Sequence, residues 1–176
     1  MYFITGSQGK FEEAKRILPD LKQLDIDLPE IQEMDPQAII KAKLQAAFEH
    51  HQGPFMVEDT SLSCEGLGGL PGPLIKWFLK ALGPSGTAKL ALQSGNTQAV
   101  ARTCVGYAQN PTDIHFFEGT IAGTIVAPRG EFGFGWDSIF LPDGFTKTFG
   151  EMTRDQKQEI SMRAIAVGAL KDFLTS

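Results

Sequence analysis

The sequence has few of the features that mark a secreted, a membrane or a nucleic-acid-binding protein. It contains only two cysteines, Cys64 and Cys104, which are far apart in the chain, so a disulfide framework or a zinc site of paired cysteines is excluded. Acidic side chains outnumber basic ones by 21 to 16, so no general basic surface attracts nucleic acid polymers or anionic lipid. No apolar run approaches the roughly 18 residues of a membrane span, and the first residues lack a secretion signal. We therefore expect a cytoplasmic protein without a membrane or nucleic acid partner.

What the sequence does contain is the composition of an ordinary globular domain. Of its 176 residues, 42% are hydrophobic and 21% are charged. A chain of this length buries roughly 70% of its unfolded surface, so it can form a core without disulfides or metals. We expect a single domain over residues 1–176.

Strands and helices alternate in the first half of the chain, and a long hairpin follows in the second half. The patterns predict strands at residues 2–5, 21–28, 55–58, 98–107 and 114–126, and helices at 11–18, 36–48 and 74–82. Asp35 is predicted to cap the helix at 36–48, Gly83 to end the helix at 74–82, and residues 110–113 to form the hairpin turn. A final helix is predicted to start at Thr153, with Gln156 completing a capping box and Phe173 on its apolar side. This order predicts the α/β class, with two lobes around one long, twisted, mixed sheet.

The first candidate site is the glycine turn at residues 5–10, between a strand and a helix. Backbone N–H groups at the start of a helix bind anions. The turn lacks the glycine spacing and the Lys-Ser/Thr pair of a Walker A loop. The alternative is a plain turn in which Lys10 is solvated.

A pair of acidic side chains, Glu58 and Asp59, is predicted at a strand end, and Glu30 ends the preceding strand. Adjacent strand residues point to opposite faces, so only one of the pair can enter a given cleft. Mg²⁺ takes one or two carboxylates and shares its other positions with water and phosphates. The alternative is a pair of solvated acids.

Two aromatic segments carry further candidates. Lys76 lies in the first helical turn after a Pro-Gly-Pro turn, and its neighbour Trp77 is predicted to be a core residue. Glycines around Phe134 and Trp136 permit a loop that stacks on a base, or one that only packs on the core. Lys157 and Arg163 add cations on the last helix, where Ser161 completes the set of candidates. Together with the anion turn and the carboxylates, these features indicate a magnesium nucleoside triphosphate as the ligand.

At this point the motifs resemble those of one family, the Ham1-like inosine triphosphate pyrophosphatases. The matching segments, in the family's order, are residues 5–10, 28–30, 57–62, 67–78, 125–130, 134–137 and 161–163. They span nearly the whole chain. The glycine-proline block at 67–73 is the most specific of them.

The resemblance implies an enzyme that hydrolyses ITP, dITP or XTP to the monophosphate and pyrophosphate. It also implies Mg²⁺ as the cofactor, with Mn²⁺ as a substitute, and a homodimer of elongated two-lobed subunits. Two alternatives stay open: a Maf-like pyrophosphatase with another base preference, and a nucleotide-binding protein that has lost catalysis.

The resemblance also assigns roles to residues. Glu30 and Asp59 hold the metal, and Asp59 is the base that activates water. The triphosphate contacts are Thr5, Gly6, Ser7, Lys10, Lys43, Thr60 and Lys76. Lys43 is preferred to Lys41 because its separation from Asp59 matches the family. The positions that recognise the base and sugar are Phe134, Gly135, Trp136, Asp137, Lys157, Met162 and Arg163.

Two positions depart from the family pattern. Ser7 replaces the usual asparagine, and Met162 replaces a histidine at the position expected to recognise the purine 6-oxo group. Loss of one such donor is worth about 1–3 kcal/mol in discrimination. We therefore expect chemistry to survive while the preference for ITP over GTP and ATP weakens.

Overall fold

Seven strands form one mixed sheet in a computed structural model that describes residues 1–176. The strands are β1 (Tyr2–Ile4), β2 (Lys22–Leu24), β3 (Phe55–Cys64), β4 (Pro71–Gly72), β5 (Gln98–Asn110), β6 (Asp113–Ile125) and β7 (Phe140–Pro142). Their order is β2-β1-β3-β5-β6-β7, and β4 pairs with β3. β1 is parallel to β2 and β3, whereas β3–β4 and β6–β7 are antiparallel. The predicted mixed α/β class is confirmed.

Five α-helices accompany the sheet. They are α1 (Gln8–Lys15), α2 (Pro36–His50), α3 (Ile75–Gln93), α4 (Arg154–Ile160) and α5 (Met162–Thr175). None combines the length and apolar character that crossing a bilayer requires. The predicted stop at Gly83 is a break inside α3, where this glycine has φ +66°.

The chain forms two compact units. The first contains residues 1–60, 103–119 and 162–176, and the second contains residues 61–102 and 120–161. β3, β5 and β6 each contribute residues to both.

The core of the first unit follows the alternation of side chains along its strands. Phe3 and Met56 belong to a buried cluster with residues of α1 and α5. Their strand neighbours Ile4 and Phe55 belong to another cluster with residues of α2. Because successive strand residues point to opposite faces, α1 and α5 cover one face of the sheet and α2 covers the other.

The second unit has an aromatic core. The rings of Trp136, Phe140 and Phe149 are buried and lie 5.3 to 6.3 Å apart between centroids. Trp136 is therefore a core residue, although its position in the glycine loop was assigned to base recognition.

The caps predicted from sequence are present. Asp35 accepts a hydrogen bond from the Gln37 N–H at the start of α2. Thr153 and Gln156 form the capping box of α4. The Asn110 carboxamide oxygen accepts from the Thr112 and Asp113 amides in the β5–β6 turn. These local patterns are readable because each depends on residues close in the chain.

Other predicted boundaries were also wrong. The final helix is two helices, because Ser161 has extended backbone angles (φ −72°, ψ 149°) and ends α4 before α5 begins. The second strand is only Lys22–Leu24, since β1 offers it three partner residues. β3 continues to Cys64, so Glu58 and Asp59 lie within a strand and not at its end.

The N-terminal end of α5 fits closely against β6. A Cβ on Gly119 would lie 2.0 Å from the Met162 carbonyl oxygen and 2.8 Å from Ile165 Cβ. Only glycine allows this approach.

Candidate active site

The acidic pair lies just past the carboxyl end of β1. Tyr2 and Phe3 pair in parallel with Phe55 and Met56, and β1 ends at Ile4. Glu58 and Asp59 therefore extend beyond the edge of their neighbour, next to the turn that leads into α1. The carboxyl ends of parallel strands are the usual place for ligands in α/β sheets.

Glu58 points to the face that α1 and α5 cover. Its carboxylate accepts from Arg163 Nε (2.8 Å) and Nη2 (2.9 Å), and Lys10 Nζ lies 3.0 Å away. Burial alone would raise the pKa of Glu58, but Arg163 and Lys10 hold it well below its usual range. The carboxylate is thus ionised and fully engaged with cations.

Three further side chains complete this buried network. Glu13 of α1 also pairs with the Arg163 guanidinium. Thr60 donates to Glu58 (3.0 Å), and its hydroxyl lies 3.3 Å from the hydroxyl of buried Thr103. Neither Glu13 nor Thr103 was among the predicted site residues. The spacing from Lys10 to Glu13 on one helix face could have suggested the first, whereas Thr103 gave no signal in the sequence.

Asp59 points to the opposite face, where α2 brings Lys43. The Lys43 ammonium lies 3.2 Å from Glu30 Oε1 and 3.8 Å from Asp59 Oδ1. Burial raises the pKa of Asp59 to about 6, although Lys43 and Lys10 oppose the shift. The other oxygen, Oδ2, is buried and has no hydrogen-bond partner.

This arrangement fits a hard divalent cation completed by a substrate. No group of three or more acidic, histidine or cysteine side chains is placed to hold a metal ion by itself. Glu30 and Asp59 share one cationic neighbour, and a buried carboxylate oxygen without a partner is costly unless a ligand or water satisfies it. Mg²⁺ typically uses one or two carboxylates and takes its other ligands from water and phosphate.

The two candidate lysines of α2 differ in their surroundings. Lys41 is exposed, whereas Lys43 is buried beside Asp59. Lys43 is therefore the lysine of α2 that lies at the acidic side chains, and its contact with the triphosphate stays a prediction.

The turn between β1 and α1 is stabilised by hydrogen bonds from its own backbone amides to its own hydroxyl side chains. Ser7 caps α1 by accepting from the Lys10 amide (3.4 Å), and Thr5 accepts from the Ser7 amide (3.1 Å). Gly6 is exposed beside them. The Ser7 hydroxyl at this position therefore serves the helix cap.

In the second unit, the glycine loop is fixed by a buried ion pair. Lys157 Nζ lies 2.7 Å from Asp137 Oδ2, and the same oxygen accepts from the Phe134 amide at 2.8 Å. Gly133 must lack a side chain, because a Cβ would lie 2.1 Å from that oxygen. Residues 130–135, Asp137 and Ser138 line an open pocket at the surface.

Two aromatic rings of this loop remain accessible, and Phe132 is the more exposed of them at 60%. Phe134 is 37% exposed, and the Lys157 ammonium lies 4.6 Å from its ring centroid. Gly135, next to it, has φ +65°, which favours glycine. With Trp136 in the core, Phe132 and Phe134 are the rings that this loop can offer to a flat partner.

The lysines at the start of α3, the helix after the Pro-Gly-Pro turn, are exposed. Lys76 is exposed in the first turn of α3. Trp77 was predicted to be a core residue, and this was wrong: it is 47% exposed. Its ring has the ammonium groups of Lys76 and Lys80 at 5.9 and 5.5 Å, because both lie within one helical turn of it.

The sequence of nearly the whole chain is similar to proteins of the Ham1 family. The model of the Ham1 family matches residues 1–173. The inosine triphosphate pyrophosphatase of Schizosaccharomyces pombe is 42% identical over 178 residues, covering 99% of this chain and 94% of that protein. Inosine triphosphate pyrophosphatase 1 of Trypanosoma cruzi is 44% identical over 174 residues, covering 96% and 88%. A HAM1 protein from Coxiella burnetii has a similar structure, with a TM-score of 0.83, 22% identity and coverage of 99% and 98%.

Proposed function

Because the chain belongs to the Ham1 family, we propose that it hydrolyses the non-canonical purine nucleotides ITP, dITP and XTP to the nucleoside monophosphate and pyrophosphate. The observation that carries this proposal is the half-buried Asp59, whose buried Oδ2 has no partner and whose Oδ1 shares Lys43 with Glu30. The relatives named as inosine triphosphate pyrophosphatases do not favour the Maf-like alternative.

In the proposed reaction, water attacks the α-phosphorus and the bond to the bridging oxygen of pyrophosphate breaks. Asp59 accepts the proton of the attacking water on Oδ2. A general base works best when its pKa lies near the working pH, and burial places the pKa of Asp59 at about 6. Asp59 is therefore ionised at neutral pH and still basic enough to take a proton.

Negative charge grows on the departing pyrophosphate, and cations must balance it. Lys10 and Lys43 lie beside the acidic pair, and each holds a carboxylate until an anion of higher charge arrives. A divalent ion held by Glu30 and Asp59 would add charge neutralisation at the phosphates and lower the pKa of the attacking water. Fixed charges of this kind supply most of the rate in phosphoryl chemistry.

We propose base recognition by the glycine loop of the second unit, as the resemblance implies. An exposed Phe134 ring can stack on a purine, and such stacking is worth about 1–3 kcal/mol. The Asp137–Lys157 ion pair fixes the loop backbone, because Asp137 Oδ2 also accepts a hydrogen bond from the Phe134 amide. The roles of Lys76, Met162 and Arg163, the homodimer and the cytoplasmic location stay predictions.

A panel of triphosphates tests the proposal. Purified protein with Mg²⁺ should release pyrophosphate, and no orthophosphate, from ITP, dITP and XTP. Modified pyrimidine triphosphates as the best substrates would favour the Maf-like alternative. Absence of any hydrolysis, with nucleotide binding retained, would identify a binding protein.

The Asp59→Asn variant tests the assigned base. It should abolish turnover while nucleotide binding remains measurable. Asp20→Asn, an exposed aspartate, is the matched control and should leave turnover unchanged. Full activity in Asp59→Asn would remove Asp59 from its role.

A further inference from the structure

Lys43 occupies the place between the two carboxylates assigned to the metal. Its ammonium contacts Glu30 Oε1 at 3.2 Å and Asp59 Oδ1 at 3.8 Å, and the residue is 8% exposed. The lysine reaches this place from α2, a different element from those that carry the two acids. The structure thus already has a cation where the chemistry requires one.

A lysine ammonium and a divalent ion compete for the same carboxylate oxygens. Both are cations, and their repulsion at a few ångströms is strong where burial lowers the effective dielectric. A divalent ion that binds Glu30 Oε1 and Asp59 Oδ1 therefore displaces the Lys43 ammonium, while Asp59 Oδ2 stays available to the attacking water. The displaced ammonium needs a new anion, because a buried charge without a partner is costly.

We propose that Lys43 is a placeholder cation, which neutralises Glu30 and Asp59 in the free protein, competes there with the divalent ion, and moves to the triphosphate when metal and nucleotide bind together. This inference rests on the proposed function. A flexible four-carbon stem lets a lysine exchange one anion for another at little cost in backbone movement.

Two consequences follow for binding. The divalent ion alone binds weakly, since it must expel Lys43 without offering it a partner. A triphosphate provides that partner, so metal and nucleotide strengthen each other's binding by the same factor. The protein therefore favours a metal that arrives with a nucleotide over a free metal ion.

Mn²⁺ binding measured by electron paramagnetic resonance, without nucleotide, tests this competition. The proteins are wild type, Lys43→Met, Lys43→Arg and Lys41→Met. Lys41→Met removes the same charge from an exposed site on the same helix, and Lys43→Arg keeps the charge at the site. The measurements are made at pH 8, which lies above the pKa of about 6 of Asp59.

We expect Lys43→Met to bind Mn²⁺ about tenfold more tightly than wild type, which corresponds to about 1.4 kcal/mol. Lys43→Arg and Lys41→Met should stay within about twofold of wild type. A non-hydrolysable α,β-methylene triphosphate should tighten Mn²⁺ binding in wild type and do so much less in Lys43→Met. Circular dichroism verifies folding, and Lys43→Gln replaces Lys43→Met if the latter does not fold.

Equal or weaker Mn²⁺ binding by the folded neutral variant would overturn the proposal, because Lys43 would then be a fixed structural partner. The proposal would also be overturned if the α,β-methylene triphosphate tightened Mn²⁺ binding equally in wild type and in Lys43→Met. Neither result would bear on the proposed activity, which the pyrophosphate release of the wild-type protein from the triphosphate panel tests separately.

Discussion

The Asp59→Asn variant should be more stable than the wild type at pH 8, although it lacks the predicted base. Burial raises the pKa of Asp59 from 3.8 to about 6, against the opposing effect of Lys43 and Lys10. The folded state therefore disfavours the ionised carboxylate relative to the unfolded state. Asparagine is neutral at every pH and resembles the protonated acid in shape.

The sign and the size follow from proton linkage. Between about pH 4 and pH 6 the folded protein binds more protons at Asp59 than the unfolded protein does, so the free energy of unfolding falls as the pH rises. Above pH 6 the loss is complete. A shift of roughly two pH units at about 1.4 kcal/mol each gives about 3 kcal/mol, or a melting temperature higher by roughly 6–12 °C for the variant.

Urea unfolding of wild type, Asp59→Asn and Asp20→Asn at pH 4 and pH 8 measures this difference. A chelator is present throughout, because a bound metal would stabilise only the wild type. The advantage of Asp59→Asn should be about 3 kcal/mol at pH 8 and under about 1 kcal/mol at pH 4. An advantage that is absent at pH 8, or equal at both pH values, would refute the reasoning.

Three further substitutions probe the other buried charges and the base preference. Arg163→Met should lower the free energy of unfolding in urea by about 3–5 kcal/mol, because it leaves the buried Glu58 carboxylate without its guanidinium partner. The double variant Arg163→Met/Glu58→Gln should recover at least half of this loss. No recovery would exclude the buried Glu58 charge as the cause. Lys157→Met should cost a similar amount by removing the ammonium that pairs with the buried Asp137 carboxylate, and a cost under about 1 kcal/mol would show that the ion pair contributes little. Met162→His should raise the ratio of kcat/KM for ITP over ATP by about five- to 150-fold; an unchanged ratio in an active enzyme would contradict the assigned role of this position.

The features that sequence analysis predicted well are those decided by neighbours in the chain. The capping box of Thr153, the cap at Asp35 and the turn after Asn110 each rest on side chains within three residues. The opposite orientations of Glu58 and Asp59 follow from strand alternation alone, and the structure confirms them.

The features that could not be predicted depend on contacts distant in sequence. β3 continues past the acidic pair because β4 pairs with its far end, and nothing in the local pattern shows that partner. The break at Ser161 has no glycine or proline to mark it. Glu13 joins the site only because α5 brings Arg163 to α1, so the assignment needed the tertiary structure.

The position of the Arg163 guanidinium depends on Gly119, although Gly119 lies on β6, a strand that carries no assigned site residue. An added methyl group would push against the first turn of α5 and shift the guanidinium that neutralises Glu58. A saturation screen for lost pyrophosphate release should therefore flag position 119 as intolerant even to alanine. Packing against α5 therefore limits the substitutions that β6 tolerates at position 119. Inhibitors that bind the nucleotide site would not detect this limit, because Gly119 is not an assigned site residue.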